Sequence, residues 1–332
     1  MNIAIVGAGA IGGYLGVKLA QSGVDVTFIA RSENLKAIKA NGMKLLLEDG
    51  SEIHAKNVKA SSIEEATPHD YVFLTMKSHQ VAPVANDIQK LCGPNSAVVT
   101  MQNGVPWWYF YNLAGEFQGT QLNSVDPESK VWNAIGPERV IGSVVYPAAE
   151  LVAPGVVKLI EGNRFTLGEP SGEKSERVTK LAQAMIAAGF KTPVSNDIRS
   201  ELWVKLWGNL TFNPVSALTH ATLEDICKFP LSRAVAEQMM KEAQLVGERV
   251  GVQFKIPIEK RIAGAQAVGA HKTSMLQDIE QGKAPELEAL LGSVVELGVI
   301  AGVQTPTLNT VYALTRLLAQ SIEQAGSKGL RL

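Results

Sequence analysis

A glycine-rich turn near the start of the chain has the residue types and spacing of a dinucleotide phosphate site. The apolar run 2–6 leads into Gly7, Gly9 and Gly12, and a helical pattern of apolar residues follows. The first glycine permits a tight turn, the second lets the backbone approach a pyrophosphate, and the third lets helix and strand pack closely. Free N–H groups at the helix N-terminus favour negative charge. We therefore predict that a dinucleotide binds along the turn, which consists of Gly7, Ala8, Gly9, Ala10, Ile11 and Gly12.

The end of the second predicted strand indicates which dinucleotide is bound. NAD sites usually place an acidic residue about 20 residues beyond the glycines, where it holds the ribose 2′-hydroxyl. Here the strand ends at Arg31 and Ser32 instead. A guanidinium can bind a 2′-phosphate through two parallel hydrogen bonds, although a solvated surface arginine is the plainer alternative. The missing acid and the arginine together predict NADPH as the cofactor.

A second constellation lies in the segment 203–214. Lys205, Asn209 and Asn213 are four residues apart and share one face of a helix, while tryptophans and leucines occupy many of the other positions. Polar groups on a face suited to burial are costly unless something polar lies between them. A 2-oxoacid would fit, because the amides can hold its oxygens and the lysine can supply a proton. A solvent-facing stripe of an amphipathic helix is the alternative.

Four further polar positions are candidates for the same chemistry. Asn103 follows a buried strand, at the end where such sheets bind ligands, although an Asn-Gly turn would explain it equally. Lys77 follows the preceding strand, either on the cofactor side or merely on the surface. Ser274 is a candidate near the C-terminus, but with Gln277 it would also form a capping box. Glu286 is the last candidate, and it would also suit the first turn of a helix.

These positions require two kinds of scaffold. Up to about residue 196, short β-rich runs alternate with helical segments, and a hairpin is expected at 43–55. Beyond that point only helical patterns remain, broken at prolines. We therefore predict an α/β fold with a Rossmann-type dinucleotide-binding domain, 1–196, followed by an all-helical substrate domain, 197–332, and a site in the cleft between them. Further strands, expected to be antiparallel, are predicted at 140–146, 156–160 and 164–167.

Composition narrows the class of protein. A chain of 332 residues with 46% hydrophobic and 19% charged residues is typical of a globular protein of two domains. The net charge of −1 favours neither nucleic acid nor an anionic membrane as a partner, and no apolar stretch reaches membrane-spanning length. Cys92 and Cys227, both in helical-looking surroundings, are far apart, and the five histidines show no ligand spacing. We therefore expect reduced thiols, no metal and a cytoplasmic location.

Taken together, the motifs resemble the ketopantoate reductase (2-dehydropantoate 2-reductase) family. They are the glycine turn, Gln-Asn-Gly at 102–104, Lys-x-x-x-Asn-x-x-x-Asn-Pro at 205–214, and Ser-Met-Leu-Gln-Asp at 274–278 followed by Glu286. The resemblance runs from the first strand to the last helices. It implies NADPH-dependent reduction of a small-molecule 2-oxoacid, 2-dehydropantoate, to (R)-pantoate on the route to pantothenate and coenzyme A. The apolar helical domain also makes a homodimer plausible.

The resemblance also implies a role for each candidate residue. Lys205 matches the family's proton donor, which is the assignment with the largest chemical consequence. The remaining matches are to substrate contacts (Asn209, Asn213 and Ser274), to the point where substrate and cofactor meet (Asn103), to the grip on the adenosine phosphate (Arg31 and Lys77), to a backbone contact with the cofactor (Ala149) and to an acid near the nicotinamide ribose and the substrate (Glu286).

Two departures from the family pattern concern the substrate. Asn103 and Ala149 are 46 positions apart (149 − 103), a longer separation than is usual, and the extra segment carries aromatic residues between Trp107 and Trp132. We expect this segment to project close to the site and reshape the pocket. Leu223 stands where some members carry a substrate-binding asparagine. The alternatives are therefore a reductase of another branched or aromatic 2-oxoacid, or a non-catalytic NADPH-binding sensor, against which the lysine argues.

Overall fold

The computed structural model describes residues 1–325. By their internal contacts these residues form two compact units. The first comprises Met1–Gln102, Pro106–Gln121 and Asp126–Glu201, and the second comprises Asn103–Val105, Leu122–Val125 and the chain from Leu202 onward. The chain thus contributes two short segments to the second unit before its main helical part begins. The division at 196/197 stays a prediction, and residues 326–332 of the expected second domain lie outside the described part.

Eleven strands lie in the first unit, and their sequence explains their positions. They are β1 (Asn2–Val6), β2 (Asp25–Ile29), β3 (Met43–Leu46), β4 (Glu52–Ala55), β5 (Lys59–Ser61), β6 (His69–Leu74), β7 (Cys92–Thr100), β8 (Val140–Val145), β9 (Ala148–Ala153), β10 (Val156–Glu161) and β11 (Phe165–Gly168). Seven of them form a sheet in the order β11-β8-β7-β6-β1-β2-β5. Strands β1 and β6 at its centre are almost entirely buried, as continuous apolar runs in a parallel sheet should be.

The direction of strand β8 corrects one expectation. It pairs in parallel with β7, and only β11 runs antiparallel to it. The antiparallel prediction is therefore right for 164–167 and wrong for 140–146. The long segment between β7 and β8 includes a helix and returns the chain to the far end of the sheet, which is what a parallel pair requires. Cys92 begins β7, so its predicted helical surroundings are also wrong.

A second, smaller sheet has the order β4-β3-β10-β9. Strands β3 and β4 form the predicted antiparallel hairpin. Strand β10 is antiparallel to β9 but parallel to β3, so the prediction for 156–160 is right for one neighbour only. Strand β9 was not predicted, because most of its residues are exposed and give no apolar alternation. The small sheet packs against the helix that follows the glycine turn.

Twelve helices complete the described chain. Those of the first unit are α1 (Ala10–Gln21), α2 (Ser32–Asn41), α3 (Ala85–Lys90), α4 (Lys130–Ile135) and α5 (Glu176–Ala187). The others are α6 (Ile198–Thr219), α7 (Leu223–Lys228), α8 (Pro230–Arg249), α9 (Ile258–Ala267), α10 (Ser274–Glu280), α11 (Ser293–Ala301) and α12 (Pro306–Ala325), with a π-helical turn at Glu288–Gly292. No strand occurs between 198 and 325, which confirms the predicted fold class. None of the helices within 1–325 is long and apolar enough to cross a membrane.

The first aromatic residues of the insertion, Trp107, Trp108, Tyr109 and Phe110, are buried in the first unit. The Trp108 side chain is fully buried, and its Nε1 donates to Thr100 Oγ1 at 2.7 Å. Gly142 on β8 makes room for the ring, since a Cβ there would lie 2.7 Å from it. The Arg199 guanidinium donates to the Tyr109 carbonyl at 2.6 Å. Trp107, Trp108, Tyr109 and Phe110 are thus buried side chains, and the expectation that the segment reshapes the pocket stays a prediction.

Candidate active site

The glycine turn has the geometry that its sequence predicts. Gly7 has φ +100°, and a Cβ there would lie 2.9 Å from the Met76 nitrogen. A Cβ at Gly12 would lie 2.3 Å from the Gly7 carbonyl oxygen and 2.9 Å from Cγ2 of Ile5 on β1, so helix and strand pack closely. At Gly9 a Cβ would meet no atom within 4 Å, and α1 begins there without a side-chain cap or an acidic first turn. The open space and the uncapped N–H groups fit a pyrophosphate.

Two side chains that the sequence analysis missed hold this turn in place. Thr75, directly after β6, donates from Oγ1 to the Gly7 carbonyl at 2.7 Å. Asn34 on α2 donates from Nδ2 to the Ala8 carbonyl at 2.6 Å and accepts at Oδ1 from the Gly155 N–H at 2.8 Å. Asn34 thereby links the glycine turn to the turn between β9 and β10. Nothing local marked Asn34, because its partners lie far along the chain.

Three further predicted cofactor residues lie at two places in the first unit, whereas Asn103 and Glu286 belong to the second unit. Arg31 follows β2 as the N-cap residue of α2 and is exposed, and Lys77 follows β6 and is partly buried. Because β2 and β6 flank β1 in parallel, both follow the same sheet edge as the glycine turn. Ala149 lies on β9, the edge strand of the small sheet, opposite Leu159.

Helix α6 presents Lys205 because its opposite side is anchored by tryptophans. Trp203 and Trp207 are buried, and Trp207 Nε1 donates to the Met240 carbonyl at 2.8 Å. The Trp207 ring also packs on Phe254, with centroids 4.7 Å apart. These contacts fix the rotation of the helix about its axis, so the lysine and asparagine positions share one fixed face.

The second unit brings Asn103 to Lys205 although 102 positions separate them. Lys205 Nζ donates to Asn103 Oδ1 at 2.6 Å. The following residue, Gly104, has φ +93°, and a Cβ there would lie 2.0 Å from the Ala289 carbonyl oxygen. Val105 N–H donates to that same oxygen at 2.9 Å. The Asn-Gly segment is thus docked on the π-helical turn, and only glycine permits this approach.

The ammonium group of Lys205 is tuned towards proton transfer. The residue keeps some solvent exposure, but burial of its charged end lowers the pKa of Lys205 to about 8. The Glu286 carboxylate opposes this shift, so it lies close enough to interact with the ammonium. A pKa near the working pH is what a general acid needs, since the group must both carry and release a proton.

A cavity of about 220 Å³ beside α6, which we call the α6 cavity, is lined by three of the four predicted substrate residues, and Asn103 is not among its lining residues. Asn209 and Asn213 line it from α6, and Ser274 lines it from the start of α10. Leu223 is also part of its wall, at the position where the family pattern has an asparagine in some members. The other lining residues are Gly208, Phe212, Arg261, Ala265, Val268, His271, Lys272 and Thr273.

The capping box that was the alternative role of Ser274 does not form. Thr273 is the N-cap residue of α10, and its Oγ1 accepts from the Leu276 N–H. The sequence Thr-Ser offered two hydroxyls in adjacent positions, and the structure uses the first. Ser274 is therefore not needed as the cap, and it lies on the wall of the α6 cavity.

Comparisons with known proteins identify the family. Residues 3–107 match "Ketopantoate reductase PanE/ApbA", and residues 197–319 match "Ketopantoate reductase PanE/ApbA C terminal". The 2-dehydropantoate 2-reductase of Mesorhizobium japonicum is 55% identical over 96% of this chain and 98% of its own length. The chain belongs to the ketopantoate reductase family. The family uses NADPH, and the chain is accordingly an NADP-dependent oxidoreductase of the 2-dehydropantoate 2-reductase type.

More distant relatives match over nearly the whole chain as well. The 2-dehydropantoate 2-reductase of Pyrococcus horikoshii is 28% identical, with 95% of this chain and 97% of the relative covered. The solved structure of the 2-dehydropantoate 2-reductase of Methylococcus capsulatus has a TM-score of 0.84 at 28% identity, covering 99% of this chain and all of the other. Both units of the chain therefore belong to one family architecture.

Proposed function

We propose that the chain reduces 2-dehydropantoate to (R)-pantoate with NADPH and that Lys205 donates the proton. The contact between Lys205 Nζ and Asn103 Oδ1, at 2.6 Å, carries this proposal. This contact holds the Lys205 ammonium, whose pKa is about 8, in one position. Lys205 lies on the same face of α6 as Asn209 and Asn213, which line the cavity. An ordinary surface lysine has neither a fixed amide partner nor a lowered pKa.

The first unit supplies the groups that hold the cofactor. The N–H groups at the start of α1 would bind the pyrophosphate, with the glycine turn (Gly7, Ala8, Gly9, Ala10, Ile11 and Gly12) around it. Arg31 and Lys77 would bind the adenosine phosphate, and a backbone group of Ala149 would contact the cofactor. When bound, NADPH supplies a hydride. Glu286, next to Lys205 in the second unit, would lie near the nicotinamide ribose and the substrate.

The second unit supplies the substrate contacts and the proton. Asn209, Asn213 and Ser274 would hold the oxygens of the oxoacid, so that reduction becomes effectively unimolecular. Negative charge would develop on the keto oxygen as C2 is reduced, and Lys205 would donate a proton to that oxygen. Asn103 accepts one N–H bond of the ammonium, which leaves the other protons directed away from it. Lys205 is left neutral and regains its proton from solvent.

Steady-state kinetics with NADPH and a panel of 2-oxoacids tests the reaction. We expect 2-dehydropantoate to have the highest kcat/KM. A higher value for another branched or aromatic oxoacid would instead support the alternative substrate, for which Leu223 in the cavity wall is the structural reason. Tight binding of NADPH without turnover of any oxoacid would support a sensor.

Three broader assignments are also part of the proposal. We assign 1–196 as the NADP-binding domain and 197–332 as the substrate domain. We also place the enzyme in the cytoplasm, where thiols such as those of Cys92 and Cys227 stay reduced. We also propose a homodimer, in which exposed apolar side chains of the helical unit such as Val299 and Leu317 would be covered. Sedimentation equilibrium would distinguish a dimer from a monomer.

A further inference from the structure

The α6 cavity has a positively charged wall that the roles above leave unused. Arg261 on α9, His271 and Lys272 line it, and its described lining includes no aspartate or glutamate. Lys272 is ion-paired with Glu280 at 2.7 Å, and its side chain is half exposed. Arg261 is less exposed, and its Nε atom is buried. The cavity is therefore suited to an anion, and Arg261 is the better placed of the two permanent cations.

The Arg261 guanidinium lies directly against helix α6. A Cβ at Gly208 would lie 2.0 Å from a terminal guanidinium nitrogen and 2.8 Å from Cζ. Any other residue at 208 would therefore displace the group. Gly208 precedes Asn209 and follows Lys205 by three positions, and residues three apart are neighbours on a helix surface. Arg261 thus reaches the same stretch of α6 as the proposed proton donor and the first substrate amide.

The chemistry of a 2-oxoacid explains why a guanidinium is useful there. The substrate carries a carboxylate directly beside C2, and burial of a carboxylate is costly unless a charge compensates it. Asn209, Asn213 and Ser274 are neutral and can only supply hydrogen bonds. A guanidinium is always charged, and its planar fork matches the two carboxylate oxygens.

We propose that Arg261 binds the carboxylate of the 2-oxoacid in the α6 cavity and thereby sets the position of the keto oxygen relative to Lys205. This inference rests on the proposed function, because it takes the substrate to be an oxoacid. Gly208 then has a specific purpose, which is to keep the helix surface free for the guanidinium. The nearby Leu223, Phe212 and Val268 would contact the alkyl part of the substrate.

The test compares 2-dehydropantoate with its neutral primary amide. Arg261→Gln should raise KM for the acid about 10- to 100-fold, the value of a charge-assisted hydrogen bond, and reduce the preference for acid over amide by a similar factor. The Kd of NADPH, from fluorescence titration, should stay within about twofold, since the substitution leaves the first unit intact. Arg261→Lys should restore part of the loss, because it keeps the charge without the fork. Lys260→Gln is the matched control and should change KM little, because Lys260 is exposed on the same helix α9 and does not line the α6 cavity.

The outcomes separate this inference from the proposed function. If the parent enzyme reduces the oxoacid while Arg261→Gln keeps both KM and the acid preference, the carboxylate assignment is wrong and the function stands. If the parent turns over no oxoacid, the proposed function fails, and calorimetric titration of the NADP complex with pantoate still measures whether Arg261 binds a carboxylate. Should Arg261→Gln not fold, Gly208→Ala provides the same test, because its Cβ would displace the guanidinium.

Discussion

The glycine turn of the first unit and the α6 face of the second are built from different chemical groups. The turn presents backbone N–H groups, and its glycines act by having no side chain, as the open space at Gly9 illustrates. The α6 face presents side chains, and the hydrogen-bond partner of Lys205 is Asn103, which is 102 positions away along the chain. A site made of backbone is encoded in consecutive residues, whereas a site made of side chains depends on distant packing. Substitutions in the two regions should therefore affect different kinetic constants.

The largest expected effect lies on the side-chain site. Removing a positioned general acid costs about 10²–10⁴ in rate, so Lys205→Ala should lower kcat by that order. Its Kd for NADPH should stay close to that of the parent, because the proposed phosphate contacts lie in the other unit. Single-turnover kinetics and fluorescence titration measure the two quantities. A kcat within a few-fold of the parent would mean that the α6 face is structural, and Glu286 would become the next residue to test.

The counterpart in the first unit concerns the choice of cofactor. Arg31→Ala should raise KM for NADPH about 10- to 100-fold, because a charged contact to the 2′-phosphate is lost, and should affect NADH much less. The value of kcat at saturating NADPH should change little. Glu33→Ala, two residues away on the exposed first turn of α2, serves as a control for general disturbance of this surface. Equal losses for both cofactors would show that Arg31 does not recognise the phosphate.

The pH dependence follows from the lowered pKa of Lys205. A proton donor must be protonated, so the rate of reduction should be constant below pH 8 and fall about tenfold for each further unit above it. In the reverse direction the neutral amine must accept a proton, so pantoate oxidation should rise with pH through the same range. Measurement of both pH–rate profiles tests the assignment. Parallel profiles in the two directions would contradict it.

The same contrast explains which features the sequence predicts. The glycine turn and the lysine–asparagine face are local patterns, and both formed as expected. The contact between Lys205 and Asn103 was not predicted, because 102 positions of chain separate the two residues, and the resemblance placed Asn103 only where substrate and cofactor meet. Burial of Trp108 follows from its hydrophobicity, but its niche depends on Gly142, a residue with no local signal of that role. The direction of strand β8 was predicted wrongly for a related reason. Direction depends on which strand β8 pairs with, and the sequence of β8 does not specify that strand.

The smallest expected effect comes from a substitution at Asn34. It tests whether the conformation of the glycine turn is determined by its own glycines alone. Asn34 donates to the Ala8 carbonyl and accepts from Gly155, so a distant amide also positions the turn. Asn34→Asp keeps the acceptor, loses the donor and places a negative charge beside the expected pyrophosphate. One lost hydrogen bond is worth about 1 kcal/mol, so KM for NADPH should rise about fivefold with kcat unchanged.

Asn163→Asp is the matched control, because the Asn163 amide donates to a carbonyl at 3.4 Å on the exposed surface of the same unit. If both variants behave alike in NADPH titrations and thermal unfolding, the turn is fixed by its own glycines. A selective loss in Asn34→Asp would mean that even the backbone-built site depends on a tertiary contact.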